Sequence, residues 1–128
     1  MPLINGEQVY EARVEEVHSG DDMMLMVDLG IDGLFKRVRV RLSGVDTPDA
    51  YKAERDSPAG QVRENVRRMV RKKRCKAIVH SQNRSGWKVT LYIMSDSGDP
   101  SQFVNLNENL IEAGYVFDNS NKFSGETA

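Results

Sequence analysis

Three β-like segments, a helical stretch, two more β segments and a brief closing helix follow one another along a chain of 128 residues. That order predicts a mainly β fold with helices: a five-stranded OB-fold Greek-key barrel, with one main helix between the third and fourth strands and a short C-terminal helix. Three observations carry the prediction. Apolar and polar residues alternate at period two in "LFKRVRVRL" (34–42) and "WKVTLYIMS" (87–95). Val62, Val66, Met69 and Val70 fall at i, i+4, i+7 and i+8, the stripe of one helical face. Gly-containing turn strings, "HSGDD", "GIDG" and "NRSG", separate the segments.

The elements read in order as follows. "QVYEARVEEVH" (8–18) mixes Val9, Tyr10, Ala12, Val14 and Val17 with charges and forms the first strand. "MMLMVDL" (23–29) is a short apolar run between Gly-containing turns, which favours a strand; Met23, Met24 and Met26 serve as core filler. "GIDG" (30–33) is a hairpin signal, and 34–42 completes a three-strand meander. Ser57 is a helix N-cap with Pro58 at the first helical position, giving a helix over 58–73. "CKAIVHSQ" (75–82) and 87–95 are the fourth and fifth strands, and "FVN" closes an extended hairpin. "LNENLIEAG" (106–114) is a helix over 106–113 stopped by Gly114. One domain covers 1–117, and 118–128 is a polar tail.

Composition narrows the function classes. No apolar run reaches the length of a membrane span, so no membrane partner is expected. The N-terminus lacks a basic start followed by an apolar stretch, so a cytoplasmic location is expected; the chain is expected to be a monomer. Cys75 is the only cysteine, which excludes an internal disulfide and a cysteine zinc site. The net charge is -1, but residues 63–76 hold eight Lys or Arg and one Glu. Arg63, Arg67, Arg71 and Lys72 on that helix could attract a polyanion, although a charge run is more often a solvated face. His18 and His80 have no metal-ligand spacing, and Ser43, Ser85 and Ser95 have no adjacent histidine pattern.

The segment "RVRLSGVDTPDA" (39–50) concentrates the chemistry. Arg39 and Arg41 share one strand face, and arginine binds phosphate through its fork of donors. Asp46 and Asp49 follow at the strand's mouth around Pro48, where clustered carboxylates repel unless a cation or proton sits between them. A site for a phosphodiester and a metal is the sharp reading; an exposed strand and an ordinary Asp-Thr-Pro turn is the bland one.

Four strings occur in sequence: "SGDD", "VRLSGVDTPDA", "SGWKVTLYI" and "LNENLIEAGYV". Together they resemble the staphylococcal nuclease-like (thermonuclease) family from about residue 10 to residue 117. The resemblance implies an OB-fold enzyme that hydrolyses DNA and RNA phosphodiesters with calcium. Asp21 and Asp46 match its calcium-binding aspartates, and Thr47 a residue that offers its backbone carbonyl. Arg41 matches the arginine that holds the scissile phosphate. Asn107 matches an asparagine whose role is structural. Ser19 and Asp22 replace an aspartate and a threonine of the family pattern. Asp49 stands where the family has a glutamate that prepares the attacking water, one methylene longer. Trp87 stands where a second phosphate arginine is expected, and losing such a donor costs roughly 2.7–4 kcal/mol. Arg39 is the best replacement; Arg84 could reach from a turn; Lys88 points away from Trp87 and is the poorer candidate. Trp87 itself is either a packed barrel residue or a stacking platform for a base. Trp87→Arg and Asp49→Glu are expected to restore activity. Two functions follow: a weakened calcium-dependent nuclease, or a catalytically inactive module that binds nucleic acid or a protein partner.

Overall fold

The structure is a computed structural model that describes residues 3–4, 7–48, 54, 56–94 and 103–115. Asp49 and the 118–128 tail lie outside the described residues. Seven strands and two helices appear among those described: β1 (Leu3–Ile4), β2 (Glu7–Ser19), β3 (Asp22–Ile31), β4 (Leu34–Leu42), α1 (Pro58–Val70), β5 (Cys75–Asn83), β6 (Gly86–Ile93), β7 (Val104–Asn105) and α2 (Leu106–Glu112).

Five of these strands close into the predicted OB-type barrel. The order is β2-β3-β4-β6-β5, and β5 returns to pair with β2. The 13-residue β2 makes closure possible by serving two neighbours, β5 through Gln8–Ala12 and β3 through Ala12–Ser19. β4 and β6 pair in parallel, Val40 with Trp87, Arg41 with Lys88 and Leu42 with Val89. That pair needs Gly86: its φ is +141°, and a Cβ there would sit 2.5 Å from the Arg39 carbonyl oxygen. The alternation seen in the sequence sets the interior. Met23, Leu25, Val27, Val40, Val89 and Leu91 are fully buried inside the barrel.

α1 begins as expected. The Ser57 hydroxyl oxygen accepts the Gly60 N–H at 3.0 Å, and Pro58 opens the helix. Val62, Val66 and Val70 form its buried stripe. The helix ends at Val70, three residues before the predicted end, because Lys72 takes a left-handed conformation (φ 59°) and turns the chain into β5. β1 has no counterpart in the sequence reading. β7 falls on the "FVN" segment and pairs with the end of β6. No described helix is long and apolar enough to cross a membrane.

Candidate functional site

The site starts from a glycine. Gly20 lies in the turn between β2 and β3, and a Cβ there would come within 2.8 Å of both Thr47 Cγ2 and Val62 Cγ1. Only a residue without a side chain lets the turn, the loop after β4 and helix α1 meet so closely. Asp21 and Thr47 are consequently 5% and 7% exposed. The Thr47 hydroxyl donates to Asp21 Oδ1 at 2.9 Å. The Leu42 N–H donates to the Asp21 carbonyl at 2.9 Å, and the Asp46 N–H to the Tyr115 carbonyl at 3.1 Å. Backbone bonds therefore tie Asp21 to β4 and Asp46 to the segment that follows α2.

A cleft of about 620 Å³ opens here, lined by His18, Ser19, Asp21, Asp22, Arg39, Arg41, Asp46 and Thr47. That size suits a small ligand or part of a chain-like one. Asp21, Arg41, Asp46 and Thr47, drawn from a turn, a strand end and a loop, are thus brought together. Burial holds the Asp21 carboxyl above the usual carboxylate value; the Thr47 hydroxyl and the charge of Arg41 oppose this, and Asp46 adds to it. A hard divalent cation would offset both the lost hydration of Asp21 and its repulsion by Asp46. The donors fit such an ion in kind, being oxygens only. Among the described residues no three His, Cys, Asp or Glu side chains gather as a cage. Water and substrate oxygens would have to complete the shell.

The raised Asp21 carboxyl makes a stability prediction. A carboxyl that titrates higher when folded weakens folding while ionised. That loss is full above the folded value and vanishes as pH falls below the unfolded value near 3.8. Asp21→Asn in chelator is therefore expected to raise Tm by a few degrees at neutral pH, with the gain shrinking in acid. Calcium is expected to raise the Tm of the parent and not that of the variant.

The outer face of β4 and β6 carries the cations. Lys88 stands beside Arg41 in the parallel register, and both are exposed. Trp87 points inward, 9% exposed, with its ring 5.4 Å from that of Tyr10 and tilted by 35°. Burial supports the packing role for Trp87 rather than the stacking one. It also reverses the ranking of Lys88: pointing away from Trp87 places Lys88 on the arginine face, because position 87 is the interior one. A second cleft, of about 350 Å³, continues from the first and is lined by Arg39, Arg41, Ser81, Asn83, Ser85, Gly86, Trp87 and Lys88. Arg84 is exposed in the turn between β5 and β6 and does not line it.

The helix arginines do not form one free basic face. Arg63, its side chain 13% exposed, meets Glu64 at 3.1 Å, and Arg67 meets the same Glu64 at 2.5 Å. Arg67 also donates to the Val17 carbonyl at 3.3 Å, binding α1 to β2. Arg71 and Lys72 are exposed past the helix end.

His18 was not anticipated in the cleft. The β2–β3 register slips between Val17 and Ser19, leaving His18 as the extra residue of a bulge, and bulges re-aim side chains. Cys75 is buried, which pushes its thiol up to about 12 and leaves it unsuited to nucleophilic work. Compared with protein-family models and with curated proteins, the chain matches none.

Proposed function

We propose that this OB-fold protein is a calcium-dependent nuclease of the thermonuclease type, hydrolysing phosphodiester bonds in DNA or RNA with reduced activity. One observation carries the reading. Asp21, Arg41, Asp46 and Thr47, the four positions that match the family's calcium ligands and phosphate arginine, line one cleft. Asp21 and Asp46 would hold the cation, which on binding would draw electron density from a phosphate oxygen. Arg41, exposed and without a hydrogen-bond partner among the described residues, would clamp the phosphate and stabilise the charge it gains when water attacks. Lys88 would add a second positive charge beside it, but as a point charge rather than a fork. Asp49, three residues beyond Asp46, is the carboxylate proposed to orient the water. Its shorter reach and the lysine in place of an arginine both favour a slow enzyme.

Single-stranded DNA and RNA should be cut with calcium and left intact with a chelator. Arg41→Ala is expected to lower the rate by about a hundredfold to a thousandfold. Cleavage that survives the chelator, or that ignores Arg41→Ala, would overturn the proposal. Binding without cleavage by the parent would instead assign the protein to the inactive nucleic-acid-binding class.

A further inference from the structure

We infer that Arg39 is a second phosphodiester-binding group of this cleft, held in bidentate form by Asp22 as an internal stand-in for the phosphate. The inference rests on the anion-binding part of the proposed function and not on cleavage. Arg39 Nε donates to Asp22 Oδ1 at 3.0 Å, and Nη2 to Oδ2 at 2.6 Å. These two parallel bonds are the geometry in which a guanidinium takes a carboxylate or a phosphate. The carboxylate is the sheltered partner: the Asp22 side chain is 8% exposed and that of Arg39 is 57% exposed.

The pairing follows from neither sequence distance nor register alone. Across β3 and β4, Asp22 stands opposite Arg41, and Met24 opposite Arg39. Asp22 thus reaches diagonally past its direct partner to Arg39. It neutralises one arginine of the face and leaves Arg41 without a hydrogen-bond or ion-pair partner among the described residues.

Arg39 also stands where the two clefts join. It lines the acidic cleft with Asp46 and the neighbouring cleft with Ser81, Ser85 and Lys88. Two residues apart on one strand face, Arg39 and Arg41 are spaced by roughly 7 Å. That spacing is comparable to the separation of successive phosphates in an extended nucleic-acid strand. The ligand class is therefore a single strand presenting two consecutive phosphates, one to each arginine. In the free protein Asp22 occupies the first of these places, so a phosphate arriving at Arg39 must displace or share that carboxylate.

The test is binding of a labelled single-stranded oligonucleotide to the full chain, followed by fluorescence anisotropy in chelator at low salt. Asp22→Asn is expected to bind on the order of tenfold tighter than the parent, a difference of about 1.4 kcal/mol. Its salt dependence should steepen by about 0.7, since one more phosphate is neutralised. Asp32→Asn, at the exposed tip of the β3–β4 hairpin, changes the net charge equally and should leave affinity unchanged. Arg39→Gln alone would strand a sheltered carboxylate and could unfold the chain. It is therefore placed on the Asp22→Asn background, where it should abolish the gain in affinity and in salt slope. Tighter binding that persists in the double variant, or an equal gain from Asp32→Asn, would overturn the inference. So would Asp22→Asn binding no tighter than the parent, including no binding by any variant. Cleavage with calcium is read separately, so a protein that binds as expected but does not cut overturns the nuclease reading alone.

Discussion

Trp87→Arg is expected to unfold the barrel, whereas Lys88→Arg is expected to leave it folded and strengthen its anion site. The indole packs inside the barrel against Tyr10 and is 9% exposed. Truncating a buried tryptophan costs about 3–5 kcal/mol. A guanidinium in its place adds a charge beside Arg39, Arg41 and Lys88, with no carboxylate among the described residues lining that cleft, a further several kcal/mol. A domain of this kind has about 5–15 kcal/mol in all, so the sum removes most or all of it. Circular dichroism and thermal melting should show loss of the cooperative transition. At position 88 the same side chain stands in solvent beside Arg41 and meets no such penalty. Lys88→Arg should stay within about 0.5 kcal/mol of the parent's stability. It should also speed cleavage, because a fork replaces a point charge. A stable Trp87→Arg protein with raised activity would restore the reading in which position 87 faces the substrate.

The contrast between 87 and 88 shows what the sequence made legible and what it did not. Alternation along β6 places Trp87, Val89, Leu91 and Ile93 on the buried side and Lys88 on the other. The same alternation along β4 sends Arg39 and Arg41 outward. Both facts follow from period two; the likeness of "SGWK" to the family string placed the expected phosphate cation at 87, on the buried side. Elements with strong local signals were recovered close to their ends: β4 at 34–42 and the Ser57-Pro58 start of α1. The barrel order followed from the succession of elements. What could not be read depends on long-range placement. The resemblance alone grouped Asp21 with Thr47, 26 residues apart; nothing in the residues of "HSGDD" shows what lies over Gly20, the glycine that admits their contact. His18 escaped because a bulge breaks the period on which the reading relied. The basic helix misled for a related reason: charge counting does not reveal that Glu64 engages two of its arginines, or that one of them is largely covered.

Asn107→Ala is expected to lower stability by about 3–5 kcal/mol, more than any surface change at the cleft. Asn107, at the start of α2, is 4% exposed. Its Oδ1 accepts the Leu91 N–H at 2.9 Å, and its Nδ2 donates to the carbonyls of Ser43 at 2.9 Å and Val89 at 3.0 Å. The position explains the need. Along this edge of β6, pairing with β4 stops at Val89 and pairing with β7 starts at Tyr92. The side-chain amide fills the gap and acts as a missing piece of strand. Alanine would leave the buried Leu91 N–H without this acceptor, and such a group costs about 1–3 kcal/mol by itself. Val89 would suffer less, since its carbonyl also accepts the Ser43 N–H at 2.8 Å. Ser43 opens the turn that leads to Asp46, so the loss should also loosen the cleft and reduce cleavage in the fraction that stays folded. Asn107→Asp separates these contributions. It keeps an acceptor for Leu91 but turns a donor into an oxygen facing two carbonyls. Burial and those carbonyls would raise its carboxyl above the unfolded value. Its stability should therefore be lowest at neutral pH and recover as pH falls through that raised value, when the protonated oxygen can donate again. Denaturant titrations of the three proteins across acid and neutral pH would measure this. An Asn107→Asp protein as stable as the parent at neutral pH would mean that the amide donor holds nothing, and that α2 docks through Leu106 and Leu110 alone.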